Sequence, residues 1–198
     1  FLIRDQYSGQ VIHLELAVKF YLYSPGGASR GGLADWIGPN PDDDLAKKIT
    51  HLKARQLPLT TCATTAAVLK QRGLPPPDVS VALIRGYLFS PLTTKIIPGP
   101  MVEADHLQGR WLHAWQLERL DSVRTKTTFD VMAKDSWLDP NPSVGQSFAR
   151  ARRQVLDLLA HTGEPVLVAA RKKHQEGAAS RYFVVPDDWP GPARAPLY

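Results

Sequence analysis

The residues best suited to chemistry lie on one stretch, Val11 to Tyr23, which reads VIHLELAVKFYLY. Its odd positions carry His13, Glu15, Lys19, Tyr21 and Tyr23, while Ile12, Leu14, Leu16, Val18, Phe20 and Leu22 fill the even ones. Successive strand side chains point to opposite faces, so the pattern predicts a β-strand with the apolar face in a core and the titratable row on the other side. A carboxylate and an ammonium on one strand face, beside a hairpin partner, are the equipment of metal-dependent phosphodiester cleavage. The carboxylate holds Mg²⁺, the metal polarises the phosphoryl group and activates water, and the lysine stabilises developing charge or positions the nucleophile. Glu15 and Lys19 are the candidate catalytic residues, with Glu15 also the candidate metal ligand. His13 could serve as a ligand or base. The plain alternative is an exposed strand face carrying solubilising charges.

The element that must position this row is a hairpin. Phe1 to Arg4 is a short apolar run, and Tyr7-Ser8-Gly9-Gln10 has turn character. A turn centred on Ser8-Gly9 makes cross-strand partners sum to about 17, so that Phe1 faces Leu16 and Asp5 faces Ile12. Facing carboxylates in a hairpin come within about 5 Å of each other. The partner of Ala17 would fall just upstream of Phe1. A chain that opens without Met in an apolar run is expected to be incomplete at its N-terminus. Asp5 is the one acid on the first strand and is taken as the second metal-ligand candidate, although it lies toward the turn.

The chain then passes through a Gly/Pro/Ser stretch, residues 24–41, expected to be a flexible loop anchored by Trp36 and Ile37. Its glycines (Gly26, Gly27, Gly31, Gly32) lack the GxxxxGK[ST] spacing of a phosphate loop. Asp42, Asp43 and Asp44 suit the positive start of a helix whose stripe is Leu45, Ile49 and Leu52. A metal cluster is the sharper reading of the triplet. Lys47 and Lys48 on this helix are candidate phosphate contacts. A second helix follows Thr60-Thr61, with Cys62 in its first turn read as a small buried residue, and ends at Gly73 before Pro75-Pro76-Pro77. Val79 to Phe89 reads as a central strand, Trp111 to Leu120 as a strand by the alternation of Trp111, His113 and Trp115, and 126–138 as a strand or pair. A helix runs from Pro140-Ser143 to about His161, with Arg150, Arg152 and Arg153 near its start. Arg150 and Arg153 are candidate anion contacts. Strands at 165–170 and 181–185 flank a polar loop, and 186–198 is an irregular tail.

With 198 residues the chain suits a single well-packed domain. Strands and helices alternate without strict βαβ regularity. The fold class expected is therefore mixed α/β, with a central mixed sheet flanked by helices. The net charge of +5 favours anionic partners, DNA or RNA among them. One cysteine excludes an internal disulfide and any multi-cysteine metal site. No run approaches the length of a transmembrane helix and the first residues lack signal-peptide features, so a cytoplasmic protein is expected. There is no GxSxG. The acids and histidines between Glu103 and His113 lack metal-ligand spacing, and Asp130 with Lys134 repeats an Asp-x-x-x-Lys spacing without a matching flank.

The segments HLELAVKFYL, WIGPNPDDDLAKKI, RQLPLT, LIRGYLF and RYFVVPDDWP resemble the domain-of-unknown-function 1853 family of bacterial proteins over nearly the whole chain. That resemblance implies a place in the PD-(D/E)XK nuclease-like superfamily and a restriction-endonuclease-like sheet. In that superfamily a first-strand Asp and a second-strand (D/E)-x-K triplet form a Mg²⁺ site. Carried over, Lys19 matches the lysine and Glu15 is its acidic partner. Ala17 stands where the triplet has its acid, and Glu15 and Lys19 are roughly 13 Å apart along an extended strand. The implied function is metal-dependent cleavage of nucleic-acid phosphodiesters, with His13, Tyr21, Lys47, Lys48, Arg150 and Arg153 as contacts. The alternatives are a non-catalytic nucleic-acid-binding module with a decayed site, and an interaction protein using exposed Trp and Tyr.

Overall fold

The computed structural model describes residues 1–26, 32–96, 99, 102–103, 105–121, 126–143, 145–172 and 177–191. The strands are β1 (Leu2–Arg4), β2 (Val11–Tyr23), β3 (Trp36–Ile37), β4 (Val79–Pro91), β5 (Leu107–His113), β6 (Thr127–Val131), β7 (Val166–Lys172) and β8 (Ser180–Val185). The helices are α1 (Leu45–His51), α2 (Ala63–Gln71), α3 (Glu118–Asp121) and α4 (Phe148–Thr162). Strand order is β1-β2-β4-β5-β8-β7-β6, with β3 beside β2. Parallel and antiparallel pairs mix, as the alternation of elements predicts. The chain groups into two compact units, Phe1–Lys19 with Leu45–Gly86, and Phe20–Asp44 with Tyr87–Tyr198. The long strands β2 and β4 supply residues to both.

In the first unit the hairpin forms, but its register differs from the expected one. Leu2 pairs with His13, Ile3 with Ile12 and Arg4 with Val11, a sum of 15. The turn is longer than a two-residue loop because Asp5 organises it. The Asp5 carboxylate accepts hydrogen bonds from the Tyr7 N–H (2.8 Å) and the Ser8 hydroxyl (3.0 Å). A longer turn shifts the partner set by two residues.

Beside the hairpin, contacts of Val11 with Asp78, His13 with Ser80 and Lys19 with Gly86 keep one constant offset, so this part of β4 runs in the same direction as β2. Gly86 has φ of +133°, and a Cβ there would lie 1.8 Å from the Lys19 carbonyl oxygen. Only glycine permits this approach of two backbones.

The burial of β2 departs from the simple two-face expectation. His13 is 5% exposed, whereas Leu16 and Val18 on the supposed core face are 46% and 44% exposed. The helical layer of this unit meets the polar row, because Gln56 hydrogen-bonds Glu15 and Thr60 hydrogen-bonds the Ser80 that meets His13. From Phe20 onward the even face does enter a core and Leu22 is fully buried, while Tyr21 and Tyr23 are buried on the odd face. The α1 stripe is completed by Leu52 in a π-helical turn, Leu52–Gln56. Cys62 sits at the N-cap of α2 and is exposed, contrary to the buried reading.

The second unit packs a core on each sheet face. One combines Leu112, Phe129, Val168, Tyr182 and Val184 with Ala151, Val155 and Leu159 of α4. These helical positions recur at i, i+4 and i+8, the buried stripe of an amphipathic helix. The helix starts later than expected, capped by Ser147, and Gly163 ends it in the left-handed region at φ of +65°. The opposite face packs Leu22, Ile37, Phe89, Trp111, Phe183 and Trp189. Trp36 and Ile37 are buried, as expected of the anchors of residues 24–41; residues 27–31, with Gly27 and Gly31, lie outside the described set. Trp111 and His113 belong to β5, but Trp115 lies in a 3-10 turn, so the alternation there ends with the strand.

Replacing Gly86 by Ala is expected to lower unfolding stability by about 3 kcal/mol or more, because the added Cβ meets a backbone carbonyl. Denaturant titration checks this. A loss within the range of an ordinary exposed substitution contradicts the close approach.

Candidate functional site

Glu15 and its neighbours form a hydrogen-bonded chain within the first unit. Glu15 Oε1 lies 2.8 Å from His13 Nε2, and Glu15 Oε2 accepts from Gln56 Nε2 at 3.2 Å. His13 Nδ1 lies 3.2 Å from Ser80 Oγ, which lies 3.2 Å from Thr60 Oγ1. Lys48 Nζ donates to Gln56 Oε1 at 3.4 Å. An ionised carboxylate only accepts, so Nε2 of His13 carries a proton; in the neutral ring Nδ1 then accepts from Ser80, whose oxygen accepts from Thr60. Both Glu15 oxygens and both imidazole nitrogens are thereby occupied. Such a chain holds a carboxylate at a defined place, and a buried imidazole without partners would be costly.

Lys19 shares the Glu15 face of β2 by strand alternation, four positions further along the strand. Asp5 does not join them. It lies at the hairpin turn, half-buried, and the Tyr7 N–H and then the Ser8 hydroxyl hold its carboxyl below the ordinary aspartate value. Its assignment as second ligand is therefore corrected: the observed register carries the strand position facing Glu15 upstream of Leu2, away from Asp5. His13 and Tyr21 are corrected as nucleic-acid contacts, because both are buried. The Tyr21 hydroxyl donates to Asp43 at 3.4 Å, and burial, then the Asp43 charge, raises its pKa. Asp44 is buried as well, and no cluster of three or more His, Cys, Asp or Glu suited to a metal occurs among the described residues.

Among the other expected contacts, Lys48 joins the Glu15 chain through Gln56 and Lys47 is exposed on α1. Arg150 and Arg153 lie in the second unit, where they line a shallow depression on α4 with Gln154, Asp157, Leu158 and His161. Arg152, between them, is paired with Glu118 at 2.6 Å. The Asp130 and Lys134 pattern separates: Lys134 pairs with Glu164 at 2.6 Å, and Asp130 faces Arg181. His106 and His113 each approach a backbone carbonyl.

The groups around Glu15 are one carboxylate, whose two oxygens are engaged, and one imidazole, whose two nitrogens are engaged, and among the described residues they do not make a closed cage of protein ligands.

The family described as "Domain of unknown function (DUF1853)" matches residues 1–185. The chain belongs to this family. No curated protein and no solved structure matches it. The match spans β1 through β8, so the Glu15 chain, Lys19, the α4 arginines and Asp130 all lie inside the family region. Gln56, Ser80 and Thr60 were missed by sequence reasoning. They are 41, 67 and 47 positions from the residues of β2 they serve, directly or through Ser80, and no local periodicity marks them. A cleft of about 530 Å³ in the second unit was missed for the same reason; its lining includes Pro39, Lys134, Trp137, Glu164 and Trp189.

Two outcomes follow. Gln56→Ala is expected to cost about 1–3 kcal/mol, as it strips a partner from Glu15 and from Lys48 together; chemical denaturation measures it, and a neutral result contradicts the chain. Burial raises the Asp130 pKa above 3.8 against the pull of Arg181. The native state then holds this proton more tightly than the unfolded chain, so the contribution is present below the unfolded value and lost as pH rises through the native one. Stability of the protein relative to Asp130→Asn is expected to fall as pH increases from about 4. A relative rise over that interval contradicts it.

Proposed function

We propose that the chain is a nuclease-like domain acting on nucleic-acid phosphodiesters with Mg²⁺. The observation that carries this reading is the Glu15 carboxylate, held by His13 and Gln56 on the strand face that also carries Lys19. The mixed sheet with flanking helices and the net charge of +5 agree with it. It places the chain in the PD-(D/E)XK nuclease-like superfamily, with a restriction-endonuclease-like sheet, as the resemblance of β2 implies. No helix among the described residues is long and apolar enough to cross a membrane. The proposed setting is the bacterial cytoplasm.

In this reading Glu15 binds the divalent cation, which supplies charge neutralisation and an activated water when bound. His13 and Gln56 keep the carboxylate in place, so it needs little reorganisation on meeting substrate. The Lys19 ammonium stabilises negative charge at the scissile phosphate. The exposed Arg150 and Arg153 take backbone phosphates elsewhere on the nucleic acid.

A second reading has an observation in its favour. Both Glu15 oxygens are already engaged, and no further acid joins the group among the described residues. That arrangement suits a nucleic-acid-binding domain in which the cleavage site has lapsed.

Incubation of the purified protein with supercoiled plasmid and Mg²⁺ or Mn²⁺ separates the two. Nicking that needs the cation and falls by about 100-fold or more in Lys19→Ala and Glu15→Gln supports cleavage. Binding without nicking supports the second reading, with the salt slope lowered by about two in the Arg150→Ala/Arg153→Ala double variant. Absence of both nicking and binding overturns the proposal.

A further inference from the structure

Among the described residues of the first unit, the helical turns holding Gln56 and Thr60 meet the sheet on the face that carries His13 and Glu15. Ser80 meets His13 on the helical side, so Val79, Val81 and Leu83 take the other face. The hairpin register puts Ile3 opposite Ile12, and the Phe1 backbone pairs with that of Leu14. Phe1, Ile3, Leu16, Val18, Val79 and Val81 therefore lie on one continuous sheet face, each between 39% and 74% exposed. Ile12, Leu14 and Leu83 fill the spaces among them, half-buried, and Arg85 is the charged residue of β4 on this face. An exposed apolar patch on this scale marks an interaction surface.

We propose that this face binds the same face of a second copy of the chain, two sheets packing about two-fold symmetrically. Three observations select that occupant. The patch is almost free of charge, so it has no electrostatic feature aimed at a different partner. A copy of itself is complementary, since two flat strand surfaces with β-branched and leucine side chains interdigitate as the two layers of a sandwich do. The area also suffices: the six side chains expose on the order of 500 Å² per copy, so pairing buries about 1,000 Å², the lower bound of a specific interface. An interface at that bound is expected to dissociate in the micromolar range. The face lies opposite the polar row of Glu15 in β2, so pairing leaves that row uncovered. The inference is independent of the nuclease reading.

Sedimentation equilibrium of the purified protein tests it across about 1–100 µM, the range in which so small an interface dissociates. The expected result is a reversible monomer–dimer equilibrium that persists in high salt. Leu16→Thr and Val18→Thr keep strand propensity while removing apolar surface, and each is expected to weaken the dimer about tenfold while the circular dichroism spectrum stays native. Leu59→Thr, an equally exposed position in a 3-10 turn outside this sheet face, is expected to leave the equilibrium unchanged. A monomer throughout the range overturns the proposal and leaves the face to a different partner. A dimer indifferent to Leu16→Thr and Val18→Thr, or equally sensitive to Leu59→Thr, overturns it too.

Discussion

The carbonyl oxygen of Lys19 occupies the space that a Cβ on residue 86 would need. This contact of two backbones fixes β4 against β2, and the arrangement of the first unit follows from it. Once Gly86 is set beside Lys19, the same offset brings Ser80 to His13 and Asp78 to Val11. The Asp78 carboxylate then accepts the Val11 N–H at 2.7 Å, closing the start of the long strand. The imidazole of His13 receives a hydroxyl on one side and a carboxylate on the other because the strands are in that register. A one-residue slip would turn Ser80 to the opposite face and leave a buried ring nitrogen without a partner.

Much of this organisation can be read in the sequence. The thirteen-residue alternation of β2 gives the strand and its limits, and Ala151, Val155 and Leu159 give the buried face of α4. Alternation tells which side chains share a face; it does not tell on which face another layer lands. Leu16 and Val18 looked like core residues for that reason, and His13 looked like a solvent-facing one. The turn register was misjudged because Asp5 folds the turn around its own carboxylate, a three-residue effect that outweighs the Ser-Gly pair. Gln56 was unreadable for a different reason. Its amide acquires meaning only when the π-helical turn delivers it to a strand 41 positions away.

The two faces of β2 in the first unit thus divide the physics between them. The odd face collects polar groups that satisfy one another, and satisfaction there fixes geometry more than it adds net stability. The even face carries the hydrophobic surface, largely uncovered. The proposed chemistry and the proposed association are separated by the thickness of one sheet, so a substitution on one face tests one proposal without removing the side chains of the other.

The tryptophans are distributed unevenly. All five, Trp36, Trp111, Trp115, Trp137 and Trp189, belong to the second unit, and none lies in the segments that hold Glu15 and its partners. Indole emission therefore watches one half of the molecule. Trp36, Trp111 and Trp189 are buried and report its core, while Trp115 faces solvent. An opening confined to the first unit would leave these fluorophores in place, and an unfolding curve followed by tryptophan emission would pass over it.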